Sequence, residues 1–443
     1  MLPQSSRGEK RGGSRRETRD LAGPAHDGTR THRLRQEQQS RAAGRCLSDR
    51  LCYGAGVTPS FEQGPIRPPS EAHSLLVRVT RNCPWNRCAF CPVYKGQRPS
   101  NRETAEILAD IDAMAAAAEA LRRYARPDAD PDDPFAACRV ALRRGEVPPE
   151  AAQVALFLAD GGRSVFLQDA DPMSVPPAKL AAVVRRVRER FPGIERVTTY
   201  ARAATLARRS PDGLREVREA GLTRVHVGLE SGADAVLQRV AKGCTSEQAI
   251  AAGRKTLAAG FELCFYVMPG LGGRELSDEH ARGTARVVRE TAAAAAPERP
   301  LFVRLRTTAV SRGTPLDEAR AAGRFELPDD VETAREIRSF LEALGDARLR
   351  LVSDHSLNLL PELEGDWPAD RDRLFGVIDE FLGLPDDERA AFALGRRLGL
   401  YWTLDDRHDR RRRLAVEGTI AGYGDPAPAK ILRAAAELRA RCV

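Results

Sequence analysis

The chain has 443 residues, of which 42% are hydrophobic and 30% are charged. No run approaches the roughly 18 to 20 uninterrupted apolar residues that a membrane-spanning helix needs, and large apolar residues are too frequent for a wholly disordered chain. The net charge of +8 comes mostly from residues 1–50, which hold 12 Lys and Arg against 6 Asp and Glu. The rest of the chain is nearly neutral, which disfavours a nucleic-acid-binding role for the folded part.

The N-terminal segment of about 55 residues is rich in Arg, Gly, Ser and Gln and has no sustained hydrophobic periodicity. This composition predicts a disordered tail; a start codon assigned too far upstream is the alternative explanation. No apolar stretch follows Arg15 and Arg16, so we expect no export signal. The sequence therefore predicts a cytoplasmic protein, in which clustered cysteines indicate a metal or catalytic site and not disulfides.

Three of the nine cysteines fall within nine residues, as Cys83-Pro-Trp-Asn-Arg-Cys88-Ala-Phe-Cys91. The apolar run 75–80 before them predicts a strand and the pattern 103–124 after them predicts a helix, so the triplet lies on a loop. A structural zinc site needs four ligands, and the sequence has no second CxxC pair and no nearby His pair. Three thiolates fit a 4Fe-4S cluster with one iron left open, while zinc binding or unligated structural cysteines are the alternatives.

The segment from Thr80 to Cys91 resembles the cluster loop of the radical S-adenosylmethionine (SAM) enzymes. The usual spacing in that superfamily is CxxxCxxC, and this chain has one extra residue in the first gap. The resemblance implies that Cys83, Cys88 and Cys91 bind the 4Fe-4S cluster and act as the catalytic residues. It also implies that Phe90, just before the third cysteine, packs against the cofactor; a place in the core is its alternative role.

Six strand-helix units are predicted across about 240 residues, which fits a partial (β/α)6 barrel related to the eight-stranded TIM barrel. We place a disordered tail at 1–60, the barrel at 61–345 and a mainly helical extension at 346–443. The barrel strands are expected at 75–80, 164–167, 196–200, 224–229, 263–268 and 301–305, with a further strand at 349–352. In such barrels, polar residues at the carboxyl ends of the strands are the functional ones.

Acidic residues follow the second and fourth predicted strands. Asp169 and Asp171 lie where the family binds the amino group of SAM, with capping of the next helix as the alternative. Glu230 and Ser231 lie within Val-Gly-Leu-Glu-Ser-Gly-Ala-Asp, a phrase similar to the tRNA-modifying and coproporphyrinogen-oxidase-like branches of the superfamily. The resemblance implies that both residues line the cofactor site, while a buried acid satisfied by backbone donors is the alternative for Glu230.

Three further strand ends carry candidate residues. Gly270 and Gly272 permit close approach of the backbone to the adenosine, or mark only a turn. Arg304 and Arg306 alternate along the sixth strand and face one side; if that side is the barrel interior, they need an anionic partner such as the carboxylate of the cofactor or substrate. His355 is a candidate for the substrate site or for proton donation, or a hydrogen-bonded structural residue.

The sequence thus predicts a radical SAM enzyme with two cofactors, a 4Fe-4S cluster and SAM. By resemblance, a flavodoxin or ferredoxin supplies one electron, SAM is cleaved, and a 5'-deoxyadenosyl radical abstracts hydrogen from an unidentified substrate. No further CxxC pair and no DxHxxG motif occur, which argues against methylthiotransfer and cobalamin-dependent methylation. The alternative of a different class is a non-catalytic iron-sulfur or zinc-binding module with a basic, nucleic-acid-binding tail, which predicts metal binding without SAM affinity.

Overall fold

The computed structural model describes residues 60–122, 136–145, 147, 149–424 and 426–441. The predicted disordered tail therefore lies outside the described residues, apart from residue 60. None of the helices in these ranges is long and apolar enough to span a membrane.

Ten strands occur in the described ranges. In chain order they are β1 (Leu75–Arg78), β2 (Thr80–Arg81), β3 (Ser100–Asn101), β4 (Ser164–Gln168), β5 (Arg196–Ala201), β6 (Arg224–Glu230), β7 (Glu262–Val267), β8 (Leu301–Leu305), β9 (Leu349–Val352) and β10 (Gly365–Trp367). Eight of them form one sheet in the order β1, β4, β5, β6, β7, β8, β9, β10. The first seven pair in parallel, and β10 runs antiparallel to β9.

The sheet is an open, partial barrel, because its edge strands β1 and β10 do not pair with each other. All six predicted barrel strands and the further strand at 349–352 are confirmed, with shifts of one or two residues at some ends. The sheet continues past residue 345 through β9 and β10; the three domain boundaries stay a prediction. Strands β2 and β3 form a separate antiparallel ribbon at the base of the cysteine loop.

Fifteen α-helices lie in the described part of the chain, and most of them connect successive parallel strands. They are α1 (Thr104–Arg122), α2 (Ala136–Arg143), α3 (Ala152–Ala159), α4 (Pro177–Arg190), α5 (Ala203–Arg208), α6 (Pro211–Glu219), α7 (Asp234–Arg239), α8 (Ser246–Ala258), α9 (Ser277–Ala292), α10 (Pro315–Ala321), α11 (Asp330–Ala343), α12 (Arg371–Gly383), α13 (Asp386–Arg397), α14 (Arg410–Gly422) and α15 (Pro428–Arg441). The last four follow β10 and form the predicted helical extension.

Both faces of the sheet are buried, as expected for parallel strands covered by helices. Leu75, Val77 and Val165 lie on one face and are fully buried, and Leu76 and Phe166 lie on the other face and are at most 2% exposed. Parallel pairing brings the carboxyl ends of the strands to one rim, which is where functional groups collect in barrels.

A buried ion network joins the C-terminal helices to α11. The Asp330 carboxylate pairs with Arg397 at 2.5 Å and with Arg439 at 3.0 Å, and all three side chains are at most 3% exposed. Burial disfavours the charged carboxylate, but the two guanidinium groups outweigh burial and hold the pKa of Asp330 below its ordinary value. The network therefore stabilises the docking of α13 and α15 only while Asp330 is ionised.

We expect Asp330→Asn to lower the free energy of unfolding by about 3 kcal/mol, since it leaves two buried guanidinium groups without a counter-charge. Because the folded-state pKa is depressed, the contribution of Asp330 is complete above about pH 4 and is lost as the pH falls through the folded-state pKa. Urea unfolding at pH 7 and at decreasing pH measures both effects. Asp278→Asn, in an exposed ion pair with Arg282, is the control and should cost under about 0.5 kcal/mol; equal losses in the two variants would contradict the prediction.

Candidate active site at the carboxyl ends of the strands

A cavity of about 300 Å³ opens at the carboxyl ends of the barrel strands. The three cysteines form one wall, and residues that end or follow β5, β6, β7, β8 and β9 form the others. The polar and aromatic side chains in its lining are Cys83, Cys88, Phe90, Cys91, Tyr94, Tyr200, Arg202, Glu230, Lys242, Tyr266, Arg306 and His355, with Arg67 and Asn86 at the edge of the loop wall. Seven predicted site residues, the three cysteines, Phe90, Glu230, Arg306 and His355, thus meet at one cavity.

The cysteine loop is folded by its own polar groups. Asn82 and Asn86 adopt positive φ angles of 63° and 45°, a region that Asn tolerates better than most residues. The backbone N–H of Asn86 donates to the Cys83 Sγ at 3.4 Å. The Nζ of Lys95 donates to the carbonyl groups of Asn86 and Cys88 at 3.0 and 3.1 Å. These bonds fix the loop in a shape that turns the cysteines toward the cavity.

Contacts with distant segments hold the loop against the barrel. The N–H of Ala89 donates to the Val240 carbonyl at 2.8 Å, and the N–H of Leu316 donates to the Ala89 carbonyl at 3.0 Å. The Nε1–H of Trp85 donates to the Ala241 carbonyl at 2.7 Å. The loop therefore depends on the segment after α7 and on the first turn of α10 for its position.

Asp169 holds the cysteine loop to the end of β4 and does not line the cavity. Its carboxylate is fully buried and pairs with Arg78 at 2.7 Å. It also accepts a hydrogen bond from the hydroxyl of Tyr94, a residue three positions beyond Cys91. The structure thus gives Asp169 a positioning role, and the predicted contact with the cofactor stays a prediction.

Asp171 is also buried and lies outside the cavity lining. Its carboxylate accepts from the Thr205 hydroxyl at 2.6 Å and from the Arg202 N–H at 3.3 Å. Burial raises the pKa of Asp171 to about 6, against the opposing effect of these hydrogen bonds. The side chain therefore connects the end of β4 to the start of α5. This resembles the capping alternative, but the helix that directly follows β4 is α4 and not α5.

Glu230 and Lys242 form an ion pair in the cavity wall. Their Oε1 and Nζ atoms are 2.8 Å apart, and the side chains are 12% and 11% exposed. Burial alone would lower the pKa of Lys242, but Glu230 outweighs burial and raises it. A Cβ on Gly228 would collide with the Glu230 carboxylate, so glycine leaves room for the pair.

The backbone at Glu230 is strained. Its φ angle is 63°, and the register between β6 and β7 shifts between Gly228 and Glu230. A non-glycine residue in this region costs roughly 1–3 kcal/mol, and such residues cluster at functional sites. The strain brings the Glu230 carboxylate into the cavity lining beside Cys88 and Lys242.

Three predicted cofactor contacts lie just behind the cavity wall. The Ser231 hydroxyl contacts the His280 Nδ1 at 2.8 Å. The Gly270 N–H donates to the Glu336 carboxylate at 2.6 Å, and Gly272 packs so closely against the Leu276 carbonyl and His280 that a Cβ would overlap them. These residues shape the ends of β6 and β7 but do not line the cavity, and their contacts with the cofactor stay predictions.

The two predicted arginines of β8 have different surroundings. Arg304 is buried and pairs with Asp354, so its anionic partner comes from the chain itself. Arg306 lines the cavity, together with His355. Burial, with Arg306 and Arg304 nearby, lowers the pKa of His355 to about 4, which leaves its ring neutral at pH 7. Of these residues, Arg306 and His355 face the cavity.

Sequence reasoning missed Tyr200, Tyr266, Arg202 and Lys242 in the cavity lining. The tyrosines lie inside β-strands, where aromatic residues are common whether or not they have a function. Lys242 follows Glu230 by twelve residues, and only the fold brings the two together.

The three cysteines carry free thiol groups. Burial raises the pKa of Cys88, and the positive charge of Lys242 opposes that effect. Among the described residues, no three His, Cys, Asp or Glu side chains converge closely enough to hold one metal ion. The metal or cluster that these thiol groups bind stays a prediction.

Residues 141–285 match the model of the Radical SAM superfamily. The resemblance to the radical SAM superfamily is thereby confirmed. The matched range begins after the cysteine loop, so the assignment of the three cysteines depends on their own spacing and contacts. No curated protein matches the sequence.

Several solved radical SAM structures are similar to this chain at low identity. Elp3 from the archaeon Methanocaldococcus infernus is 15% identical, over 50% of this chain and 52% of that one, with a TM-score of 0.34. Coproporphyrinogen III oxidase (HemN) from Escherichia coli is 18% identical, over 61% and 52%, with a TM-score of 0.36. The methyltransferase TsrM from Kitasatospora setae is 14% identical, over 84% and 67%, with a TM-score of 0.39. The chain spans about half the length of the first of these structures.

We expect Gly243→Ala to destabilise the protein more than Gly96→Ala. Both glycines have φ near +75°, so each substitution carries the same backbone cost of about 1 kcal/mol. A Cβ on Gly243 would also collide with the Trp85 ring, whereas one on Gly96 meets nothing within 4 Å, and such overlap adds about 1–3 kcal/mol. Urea unfolding measures the difference; equal losses would show that Trp85 does not hold the loop.

Proposed function

We propose that this protein is a radical SAM enzyme in which Cys83, Cys88 and Cys91 hold a 4Fe-4S cluster. When bound, the cluster and SAM supply a 5'-deoxyadenosyl radical that abstracts a hydrogen atom from the substrate. One observation carries the proposal: three free cysteines and a strained, ion-paired glutamate line the same cavity at the carboxyl ends of a parallel barrel. The match of residues 141–285 to the superfamily model supports it.

The side chains around the cavity divide into two groups. We propose that Phe90, Glu230 and Lys242 contact SAM, because they line the cavity beside the cysteines. Glu230 offers a carboxylate to a cationic group, and Lys242 offers an ammonium group to a carboxylate. The Nζ of Lys242 lies 5.8 Å from the centre of the Phe90 ring. These three residues therefore form one continuous wall with mixed charge and one aromatic face.

The other predicted cofactor residues act through their neighbours. Asp169 positions the cysteine loop through Arg78 and Tyr94. Ser231, Gly270 and Gly272 shape the strand ends, and Asp171 and Arg304 are paired inside the chain. We propose that substitutions at these positions change cofactor affinity through the loop and strand ends.

We propose a flavodoxin- or ferredoxin-type protein as the electron donor. Residues 72–102 contain no Asp or Glu, and Arg87, Lys95 and Arg98 are exposed around the cysteines. A positive surface of this kind favours an acidic partner through charge complementarity. We also propose a cytoplasmic location, where the free cysteines are kept reduced.

The direct test is formation of 5'-deoxyadenosine after anaerobic reconstitution with iron and sulfide and reduction with dithionite in the presence of SAM. We expect product in the wild type and none above the no-enzyme background in Cys88→Ala, because the cluster loses a ligand. Cys138→Ala is the matched control: Cys138 is buried in α2 and is not part of the cavity lining, so its removal should leave product formation intact.

Two outcomes would contradict the proposal. Product formation that survives in Cys88→Ala would show that this cysteine is not a cluster ligand. A well-formed cluster in the wild type with no product and no SAM binding would favour the non-catalytic metal-binding module. Iron and sulfide analysis of each sample separates these outcomes from a failed reconstitution.

A further inference from the structure

The cavity carries more positive charge than its own carboxylate can balance. Its lining includes Arg67, Arg202, Lys242 and Arg306, but Glu230 is the one carboxylate among the described lining residues. Glu230 is already paired with Lys242 at 2.8 Å. Three guanidinium groups therefore face this space without a carboxylate from the cavity wall.

Arg306 is the least satisfied of these cations. Its side chain is half-buried, and no hydrogen-bond or ion-pair partner for its guanidinium group occurs in the described ranges. Arg304, two residues away, pairs with Asp354. Partial removal of a cation from water is unfavourable unless an anion or acceptor replaces the water. The guanidinium group of Arg306 therefore gains an ionic or hydrogen-bonding partner only when a ligand enters the cavity.

Tyr266 contributes an aromatic ring to the same space. The residue is 8% exposed and lines the cavity together with Arg306. Its hydroxyl is buried and has no hydrogen-bond partner among the described residues, so the ring and not the hydroxyl faces the cavity.

Neutral and aromatic groups complete this part of the cavity. The Nδ1 of His355 accepts from the Leu357 N–H at 3.2 Å, which leaves the opposite nitrogen as an N–H donor. The rings of Tyr200 and Tyr266 meet edge to face with centroids 6.4 Å apart, and Phe90 lines the cavity wall. The donors thus surround an aromatic, largely apolar space.

We propose that this cavity binds a substrate with an oxyanion group, a carboxylate or a phosphate, on an apolar body. The Arg306 guanidinium binds the anion, and the rings of Tyr200 and Tyr266 contact the apolar body. Anion binding at this site is independent of the proposed function. Only the statement that the ligand is the substrate rests on it. SAM also carries a carboxylate, so the test must separate the two sources of anion.

The test uses benzoate and phenyl phosphate as anionic probes and benzamide as the neutral control. Calorimetry on the reconstituted, unreduced protein saturated with S-adenosylhomocysteine measures each affinity. We expect an anion to bind at least about tenfold more tightly than benzamide, since hydrogen bonds to charged groups contribute about 1.5–3 kcal/mol. Arg306→Gln should abolish this preference, and Arg208→Gln, at an exposed position on α5, should leave it unchanged.

The outcomes are distinct. Equal binding of anions and benzamide by the wild type, or an unchanged preference in Arg306→Gln, would overturn the proposal. A loss of S-adenosylhomocysteine affinity in Arg306→Gln as large as the loss of anion affinity would assign the site to the cofactor and would also overturn it. Arg306→Lys, which keeps the charge, should retain part of the preference and so guards against a folding defect. Failure of the proposed function shows instead as absent 5'-deoxyadenosine with the anion preference intact.

Discussion

The candidate site depends most on two contacts of the buried Asp169 carboxylate, the ion pair with Arg78 and the hydrogen bond from Tyr94. It lies at the end of β4 and joins Arg78, at the end of β1, to Tyr94, just beyond the third cysteine. A buried charge of this kind is stable only when its partners stay in place. The loop that carries the cysteines is therefore fixed to the two strands beneath it, and the thiol groups form a wall of the cavity.

A strained backbone and an ion pair lie beside the cysteines in the cavity wall. At Glu230 the backbone leaves the sheet with a positive φ angle, and the carboxylate pairs with Lys242 in a space that the absence of a side chain on Gly228 keeps open. The pair balances its own charge, so the remaining cations of the cavity stay available for a ligand. Arg306, which has no side-chain partner among the described residues, lines this cavity.

Much of the fold followed from the sequence because parallel strands buried on both faces form short apolar runs between helices. The six barrel strands, β9 and the cysteine loop were all predictable for this reason. The sequence did not predict which side chains at the strand ends face the cavity, because this depends on partners far away in the chain. Arg304 pairs with Asp354, and Arg306 has no side-chain partner in the described ranges, although the two arginines are only two residues apart. Tyr266 has an ordinary core pattern in the sequence, and only the structure places its ring in the cavity lining.

The central claim is that three cysteines hold a cluster whose remaining iron is open to SAM. Electron paramagnetic resonance of the reconstituted, dithionite-reduced protein, recorded with and without SAM, tests this claim most directly. The account predicts a reduced 4Fe-4S signal that changes shape when SAM is added, because the cofactor reaches an iron without a cysteine ligand. A fully formed cluster whose signal is the same with and without SAM would contradict it.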